Sequence, residues 1–326
     1  MSSSGGRNPF SATFWRSPRP PHAFVLTSDR LVYVGPSDPT RRAALSAAPA
    51  FRVLTRPLPP ETFTPGPDGA PHAGPALAGA LHRLLAEVGA KIPAASLVVP
   101  DGWVKLLVVD AEEPERHGRE VEEVLRWKFG RAFGEPVPAL RLSWQLAGPG
   151  TEGTRVVALA ASEEAASSWE APFERAGIRV GSLETAAFAV SVLGAGARAA
   201  GEGFLVWAGD GTATTLVFAG GQLRFARTRN FTDPAEAVQD IRLAVTFGLP
   251  VRSPEALPAD VTAACAAGPL ASPVVGALRA FRAGAGAGEP DLLSQVRLVP
   301  GATLTPAAAA EEPSTLAALG TLAGGD

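Results

Sequence analysis

Short apolar runs separated by glycine turns dominate the later half of the chain. The run 204–207 enters a turn at 209–212 that reads Gly-Asp-Gly-Thr, a second run spans 214–218, and a Gly-Gly pair leads into a third run at 223–226. Short β-rich runs bounded by glycine turns are typical of antiparallel strands joined by tight turns. The pattern predicts a three-stranded meander over 204–226.

A similar alternation occurs near the start of the chain. The runs 23–26 and 31–34 are joined by a four-residue turn, and 51–54 has the composition of a third strand. The segment 58–75 is rich in Pro and Gly, which predicts a loop. Apolar residues then recur at helical spacing over 77–88, so a helix is expected there.

The region between the two meanders has the clearest order of elements. Strands are predicted at 96–99 and 103–109, and the strongest helix of the chain at 115–133, where Val121, Leu125 and Phe129 fall on one face. Further elements are expected as strands at 140–146, 155–160 and 178–180 and as a helix at 163–176. From residue 103 onward this order is β-α-β-β-α-β, which predicts a compact ferredoxin-like split βαβ subdomain over 102–181.

Helices are also expected at 183–193, 233–247 and 273–281. Two meanders, each followed by helices, with a split βαβ unit inserted in the first half, are the pattern of a duplicated, ribonuclease-H-like α/β fold of the actin type. We therefore expect three parts: a disordered tail at 1–22, a first actin-like domain at 23–200 that includes the insertion, and a second at 203–326.

Composition narrows the function classes. The chain has 326 residues, a net charge of −3, one cysteine and four scattered histidines. This excludes a basic nucleic-acid footprint and a cysteine-based metal cluster, and no metal site is expected. No apolar stretch reaches the roughly 18 residues of a membrane span, and no secretory leader is recognisable. A cytoplasmic location is the expectation.

The turn of the second meander is the main candidate for chemistry. Gly209, Asp210, Gly211 and Thr212 could bring backbone N–H groups close to a phosphate. A metal-assisted phosphate site needs a carboxylate on the preceding strand, and the chain has Trp207 there. The alternatives are a plain hairpin turn, which we favour, and a nucleotide contact with Asp210 as a Mg²⁺ ligand.

Three segments carry a resemblance to a known family. They are E-V-E-E-V-L-R-W-K-F at 120–129 with L-S-W-Q-L at 142–146, V-A-L-A-A-S-E-E at 157–164, and A-G-I-R-V-G-S-L-E-T-A-A-F-A at 176–189. Their order and spacing resemble the PilM family of type IV pilus assembly proteins, which is related to FtsA and GspL. The similarity covers roughly residues 95–245.

The resemblance implies an actin-like fold in which some relatives bind ATP. Such folds carry an acid-glycine phosphate loop in the first meander, but here 24–34 has no glycine in the turn and Asp29 as its one loop carboxylate. A glycine-rich adenosine loop is also poorly matched at 263–269. We therefore expect a degenerate nucleotide site and no enzyme activity or bound cofactor, with Mg-ATP binding as the minority reading.

The family resemblance also implies partners. Its members capture the cytoplasmic N-terminal peptide of the membrane protein PilN in a groove between the first domain and the inserted subdomain, so this chain would lie at the inner membrane through that partner. Contacts with pilus assembly ATPases and self-association are also implied. The residues expected to contribute to partner binding are Trp103, Arg126, Trp127 and Phe129. The alternatives are an active actin-like ATPase or phosphotransferase and a GspL-type secretion protein.

Overall fold

The computed structural model describes most of the chain. The described residues are 20–37, 51–114, 117–133, 139–193, 202–248, 261–284, 297–298 and 317–318. Most of the predicted tail, up to residue 19, lies outside them.

The described residues form fifteen strands and six α-helices. The strands are β1 (Ala23–Leu26), β2 (Arg30–Pro36), β3 (Phe51–Pro57), β4 (Phe63–Pro65), β5 (Pro71–Ala73), β6 (Ala94–Val99), β7 (Lys105–Ala111), β8 (Leu140–Pro149), β9 (Thr154–Ser162), β10 (Arg179–Thr185), β11 (Glu202–Gly209), β12 (Thr212–Ala219), β13 (Gln222–Asn230), β14 (Val261–Ala267) and β15 (Arg297–Leu298). The helices are α1 (Pro75–Val88), α2 (Gly118–Phe133), α3 (Glu163–Arg175), α4 (Ala186–Leu193), α5 (Pro234–Gly248) and α6 (Ala271–Gly284).

Two five-stranded sheets share one topology. The first has the order β10-β6-β1-β2-β3 and the second has the order β13-β12-β11-β14-β15. In each sheet the first three strands form an antiparallel meander, and two later strands add in parallel beside the first strand of that meander. Both predicted meanders and the duplicated α/β architecture are therefore confirmed. We call the two halves, each built around one of these sheets, the first and second lobes.

Alternating side chains of the central strands place apolar surface on both faces of each sheet. In β1, Phe24 packs with α1 and α3 on the outer face, whereas Val25 faces the other lobe. In β11, Val206 packs with α5 and α6, whereas Trp207 faces the first lobe. One apolar core thus lies between the two sheets and joins the lobes.

The inserted unit is smaller than the predicted 102–181 subdomain. The third sheet has only three strands, in the order β7-β9-β8, and α2 packs on one of its faces. The strand β10 pairs in parallel with β6, and α3 packs in the outer core of the first lobe, so both belong to that lobe. The expected β-α-β-β-α-β unit is therefore corrected to β7-α2-β8-β9. The reason is that Trp169 and Phe173 of α3 bury their rings in the first lobe.

A short hairpin, β4–β5, occupies part of the segment that we predicted to be a loop. It is covered by α3: the Trp169 indole Nε1 donates to the Pro71 carbonyl at 2.6 Å, and the Ala73 amide donates to Ser168 Oγ at 3.0 Å. The Trp169 ring also lies 5.5 Å from that of Trp103, centroid to centroid. The indole therefore attaches the hairpin to the first lobe.

Candidate functional site

The turn of the first meander is closed by its own side chains. The Thr27 hydroxyl donates to Asp29 at 2.8 Å and accepts from the Arg30 amide at 3.0 Å. The Arg30 guanidinium donates to both carboxylate oxygens of Asp29, at 3.1 and 2.9 Å. This hydrogen bond to Arg30 is the main reason that the pKa of Asp29 is lowered.

The turn of the second meander has the backbone of a tight hairpin. Asp210 and Gly211 both have positive φ, 50° and 68°, which is the type I′ geometry that matches the twist of paired strands. The Thr212 hydroxyl donates to the Gly209 carbonyl at 2.9 Å, and the Phe231 amide donates to the Gly211 carbonyl at 2.8 Å. The turn is therefore rigid, and it projects the Asp210 side chain away from its own strands.

The two turns meet across the lobes. One carboxylate oxygen of Asp210 accepts a hydrogen bond from the Ser28 amide at 2.7 Å, a contact between residues 182 positions apart. In a phosphate-binding arrangement that amide would be a donor to an anionic oxygen. Here the protein itself supplies the accepting oxygen, through the Asp210 carboxylate.

A third carboxylate lies beside these turns. Asp101, directly after β6, is buried, and both of its oxygens lie 3.2 Å from the Ala187 amide at the start of α4. Burial raises the pKa of Asp101 to about 7, and the charge of Asp210 adds to the shift. Burial also raises the pKa of Asp210. Two carboxyl groups with raised pKa values therefore lie at the centre of the interface between the lobes.

Backbone segments pack closely around the second turn. A Cβ added at Gly102 would come 2.6 Å from Thr212 Cγ2, and one at Gly209 would come 3.2 Å from Pro269 Cδ and 3.3 Å from Trp207 Nε1. The Trp207 indole is buried between the lobes. It lies on the strand before the turn, where a metal-assisted phosphate site would need a carboxylate. The described residues contain no group of three or more His, Cys, Asp or Glu that could hold a metal ion.

The four predicted partner-binding residues do not form one surface. Phe129 is buried in the core of the inserted unit, so it supports α2 and is not available to a partner. Trp103 packs on Phe63, with ring centroids 4.5 Å apart, in the first lobe. Arg126 donates to Glu122 and to the Leu140 carbonyl, which fixes α2 to β8.

Trp127 alone of the four is strongly exposed. Its side chain is 61% exposed on the face of α2 that points away from the sheet, and the Arg131 guanidinium lies over its ring, 5.3 Å from the centroid. The structure places Trp127 on the surface of the inserted unit.

The junction between the first lobe and the inserted unit is charged. The Arg141 guanidinium of β8 binds Glu163 and donates to Glu170 at 2.6 Å, both on α3. Within the inserted unit, Lys105 Nζ of β7 lies 5.8 Å from the centroid of the Phe133 ring of α2. This network was not found from the sequence, because Arg141 and its partners come from elements 22 or more residues apart. The predicted order of elements did not by itself place Arg141 next to Glu163 and Glu170.

Three arginines of the second lobe lie on one strand, β13, and each contacts another element of the protein. Arg227 donates to Asp240 of α5 at 2.9 Å, and Arg229 lies 3.5 Å from the same carboxylate. Arg224 donates to the Pro149 carbonyl of the inserted unit at 3.1 Å. These side chains therefore hold elements of the protein together. In the described part of the chain, no helix has the length and apolar character needed to cross a bilayer.

No protein-family model matches this sequence, nor does any curated protein sequence. Solved structures do match. The chain resembles a chain of the PilM–PilN type IV pilus biogenesis complex with a TM-score of 0.67 and 18% identity, over 95% of this chain and 99% of that one.

Weaker matches include two other bacterial proteins. The cytoplasmic domain of EpsL, an inner membrane component of the type II secretion system of Vibrio cholerae, gives a TM-score of 0.44 at 11% identity over 76% of this chain and 82% of that one. The ethanolamine utilization protein EutJ from Carboxydothermus hydrogenoformans gives 0.43 at 12% identity over 97% and 94%. The duplicated sheet order and the match over nearly the whole length show that this chain has an actin-like fold, shared with the PilM–PilN structure.

Proposed function

We propose that the protein is a cytoplasmic scaffold of a type IV pilus or related secretion platform, and that it binds the cytoplasmic N-terminal peptide of a PilN-like membrane protein. The observation that carries the proposal is the full-length structural likeness to the PilM–PilN complex. The proposal places the protein at the inner membrane through its partner.

The contacts around the two turns support a scaffold without nucleotide chemistry. Phosphoryl transfer depends on Mg²⁺ and on donors that position the phosphates. Here the Ser28 amide is bound by Asp210, and Trp207 stands in place of an acid. Each of these features opposes an ATP phosphate. We infer that the turn 209–212 is retained to join the lobes.

The edge of the inserted sheet offers a place for an extended peptide. Among the described strands, β7 pairs with β9 on one side only, and its other edge has no neighbouring strand. Its side chains alternate between two apolar cores, Leu106 and Val108 in one and Leu107 and Val109 in the other. Both faces are therefore covered, and the main chain at the edge is what a peptide could pair with.

Trp103 gives this edge a side-chain anchor. It lies two residues before the start of β7 and is only partly buried, against Phe63 and Trp169. Aromatic side chains at the end of a strand-addition site commonly contribute a large part of the affinity. We therefore assign Trp103 and the β7 edge to the peptide, and leave Phe129 to the core.

The peptide-binding assignment predicts that two separate changes, one in the protein and one in the peptide, each weaken binding of the peptide. A synthetic peptide of the N-terminal cytoplasmic residues of the PilN-like protein encoded beside this gene should bind in calorimetry. Replacing Trp103 with leucine should weaken binding at least about tenfold, because an aromatic contact is lost while an apolar group remains under Trp169. A peptide with N-methylated alternate amides should also bind weakly, because it cannot pair with a strand edge.

The control for this experiment is Phe247→Ala, which removes a 72% exposed aromatic from the second lobe. It should leave peptide affinity unchanged. Absence of binding by the folded wild-type protein would refute the proposed function. Binding that is insensitive to Trp103→Leu and to N-methylation would retain the partner but move its site elsewhere.

The nucleotide assignment predicts that the wild-type protein does not bind Mg-ATP at concentrations up to about 1 mM, a limit near −4 kcal/mol. The physical reason is that the Asp210 carboxylate already accepts from the Ser28 amide. Calorimetry with Mg-ATP gives the readout, and a well-characterised actin-like ATPase serves as the positive control. Micromolar binding that Asp210→Ala abolishes would instead support an active ATPase or phosphotransferase.

A further inference from the structure

The inserted unit is joined to the first lobe by two chain links at one end of its sheet. The chain enters at the start of β7 and leaves through Ser162, at the end of β9, directly into α3. Lys105 pairs with Ala160, so both links lie at the same end of two neighbouring strands, about 5 Å apart. Two adjacent links act as a hinge, because the backbone at each can still rotate about φ and ψ. They do not by themselves fix the tilt of the unit against the first lobe.

A third attachment lies at the same end of the sheet, on the remaining strand, β8. Arg141 pairs with Ala161, and β9 separates β8 from β7. The Arg141 guanidinium uses all three of its nitrogens: Nε and Nη2 donate to the two carboxylate oxygens of Glu163, and Nη1 donates to Glu170 at 2.6 Å. The Glu163 amide also donates to the Ala139 carbonyl at 2.7 Å. We call these contacts the Arg141 clamp.

The Arg141 clamp differs from an ordinary surface ion pair. An exposed pair contributes little, because water screens the charges and both side chains lose conformational freedom. Here the Arg141 side chain is 35% exposed, that of Glu170 is only 15% exposed, and the contact with Glu163 is bidentate. Charge-assisted bonds from the planar guanidinium are short and directional. The clamp and the two chain links together set the tilt of the inserted sheet against α3.

Helix α3 also holds the other part of the proposed peptide site. The Trp169 ring lies 5.5 Å from that of Trp103, centroid to centroid, and its indole donates to the Pro71 carbonyl of the β4–β5 hairpin. Ser162, the N-cap of α3, donates to Asp68 in the turn of that hairpin. One helix therefore positions both the tryptophan anchor, through its own indole, and the β7 edge, through the clamp.

We propose that Arg141 is a positioning residue for the peptide site, which keeps the β7 edge in line with the Trp103 anchor. The inference rests on the proposed peptide site, and Arg141 itself lies two strands, about 10 Å, from the β7 edge. A site whose parts are already aligned binds more tightly, because binding does not have to order them. Without the clamp the inserted unit rotates about its two chain links, and a peptide paired with the strand edge no longer meets the tryptophan.

Calorimetry with the same PilN-like peptide tests this role. Arg141→Met should weaken binding at least about tenfold. A double-mutant cycle with Trp103→Leu separates positioning from general destabilisation, since independent sites have additive effects. In the Arg141→Met background, Trp103→Leu should weaken binding by less than about threefold, against at least about tenfold in the wild-type background.

Arg56→Met is the matched control. The Arg56 side chain is 32% exposed and binds Glu87 within the first lobe, on the edge strand β3, so its loss should leave peptide affinity unchanged. Circular dichroism confirms that each variant is folded. Glu170→Gln is a milder second variant, because it keeps the Glu163 pair, and it should weaken peptide binding about threefold.

The cycle distinguishes failure of this inference from failure of the proposed function. Wild-type affinity in Arg141→Met, or additive losses for Arg141→Met and Trp103→Leu, overturns the positioning role and leaves the peptide site in place. An equal loss of affinity in Arg56→Met has the same consequence. Absence of peptide binding by the folded wild-type protein overturns both proposals.

Discussion

Replacing Asp101 with asparagine is expected to stabilise the protein increasingly as pH rises from 4 to 8. Burial raises the pKa of Asp101 in the folded protein to about 7, from an ordinary value of 3.8. Between these two values the folded protein holds a proton that the unfolded chain has lost, so this group's contribution to stability falls as pH rises. The difference between the two pKa values corresponds to about 4 kcal/mol.

Asparagine has nearly the same shape and can still accept from the Ala187 amide, but it does not ionise. At pH 4 the two proteins should therefore have similar free energies of unfolding. By pH 8 the variant should be more stable by about 4 kcal/mol. Chemical denaturation at several pH values measures the difference.

The comparison must be made between variants because other carboxyl groups act in the opposite direction. Asp29, Asp68, Glu163 and Glu236 have lowered pKa values, so their contributions to stability increase with pH. The exposed change Phe247→Ala, which alters no titratable group, is the control and should produce no such trend. If the difference in free energy of unfolding between Asp101→Asn and wild type is the same at pH 4 and pH 8, the buried Asp101 carboxyl group does not titrate as described.

Trp169→Ala is expected to lower the free energy of unfolding by about 3–5 kcal/mol. The indole is fully buried between α3 and the β4–β5 hairpin, and it stacks near Trp103. Its removal leaves a large cavity and an unpaired Pro71 carbonyl. Denaturant titration followed by circular dichroism gives the change.

Trp127→Ala is the matched control, because it removes the same side chain from another helix at a 61% exposed position. It should change the free energy of unfolding by no more than about 0.5 kcal/mol. If Trp169→Ala and Trp127→Ala lower the free energy of unfolding equally, the packing described for Trp169 in the first lobe is contradicted.

Local pattern predicted much of this fold because strands and helices here have strong periodicity. The glycine turns at 209–212 and 220–221 mark the second meander, and α2 has a clear apolar face. The structure differs at 183–185, which extend β10 instead of starting a helix, since they pair with β6. It also places a strand, β14, where the sequence is a run of small residues, because β11 supplies its hydrogen bonds.

The candidate site was only partly predictable, because its key contacts join distant parts of the chain. The sequence identified the turn 209–212 and the substitution of Trp207 for an acid. It did not show that the Asp210 carboxylate binds the Ser28 amide, since that depends on how the lobes pack. In the sequence, Asp101 is only a residue that follows a predicted strand. The structure shows that its carboxyl group is buried and accepts from the Ala187 amide of α4.

The pairing of β10 with β6 determines how this chain can fold while it is being synthesised. Arg179 pairs with Ala94, so the first sheet cannot be completed until residues near 185 have left the ribosome. The inserted unit lies wholly within 105–162, and its three strands pair only with one another, so it can fold earlier. Because domains tend to fold in the order of synthesis, the insertion forms first, then the first lobe, and the contact between Ser28 and Asp210 last.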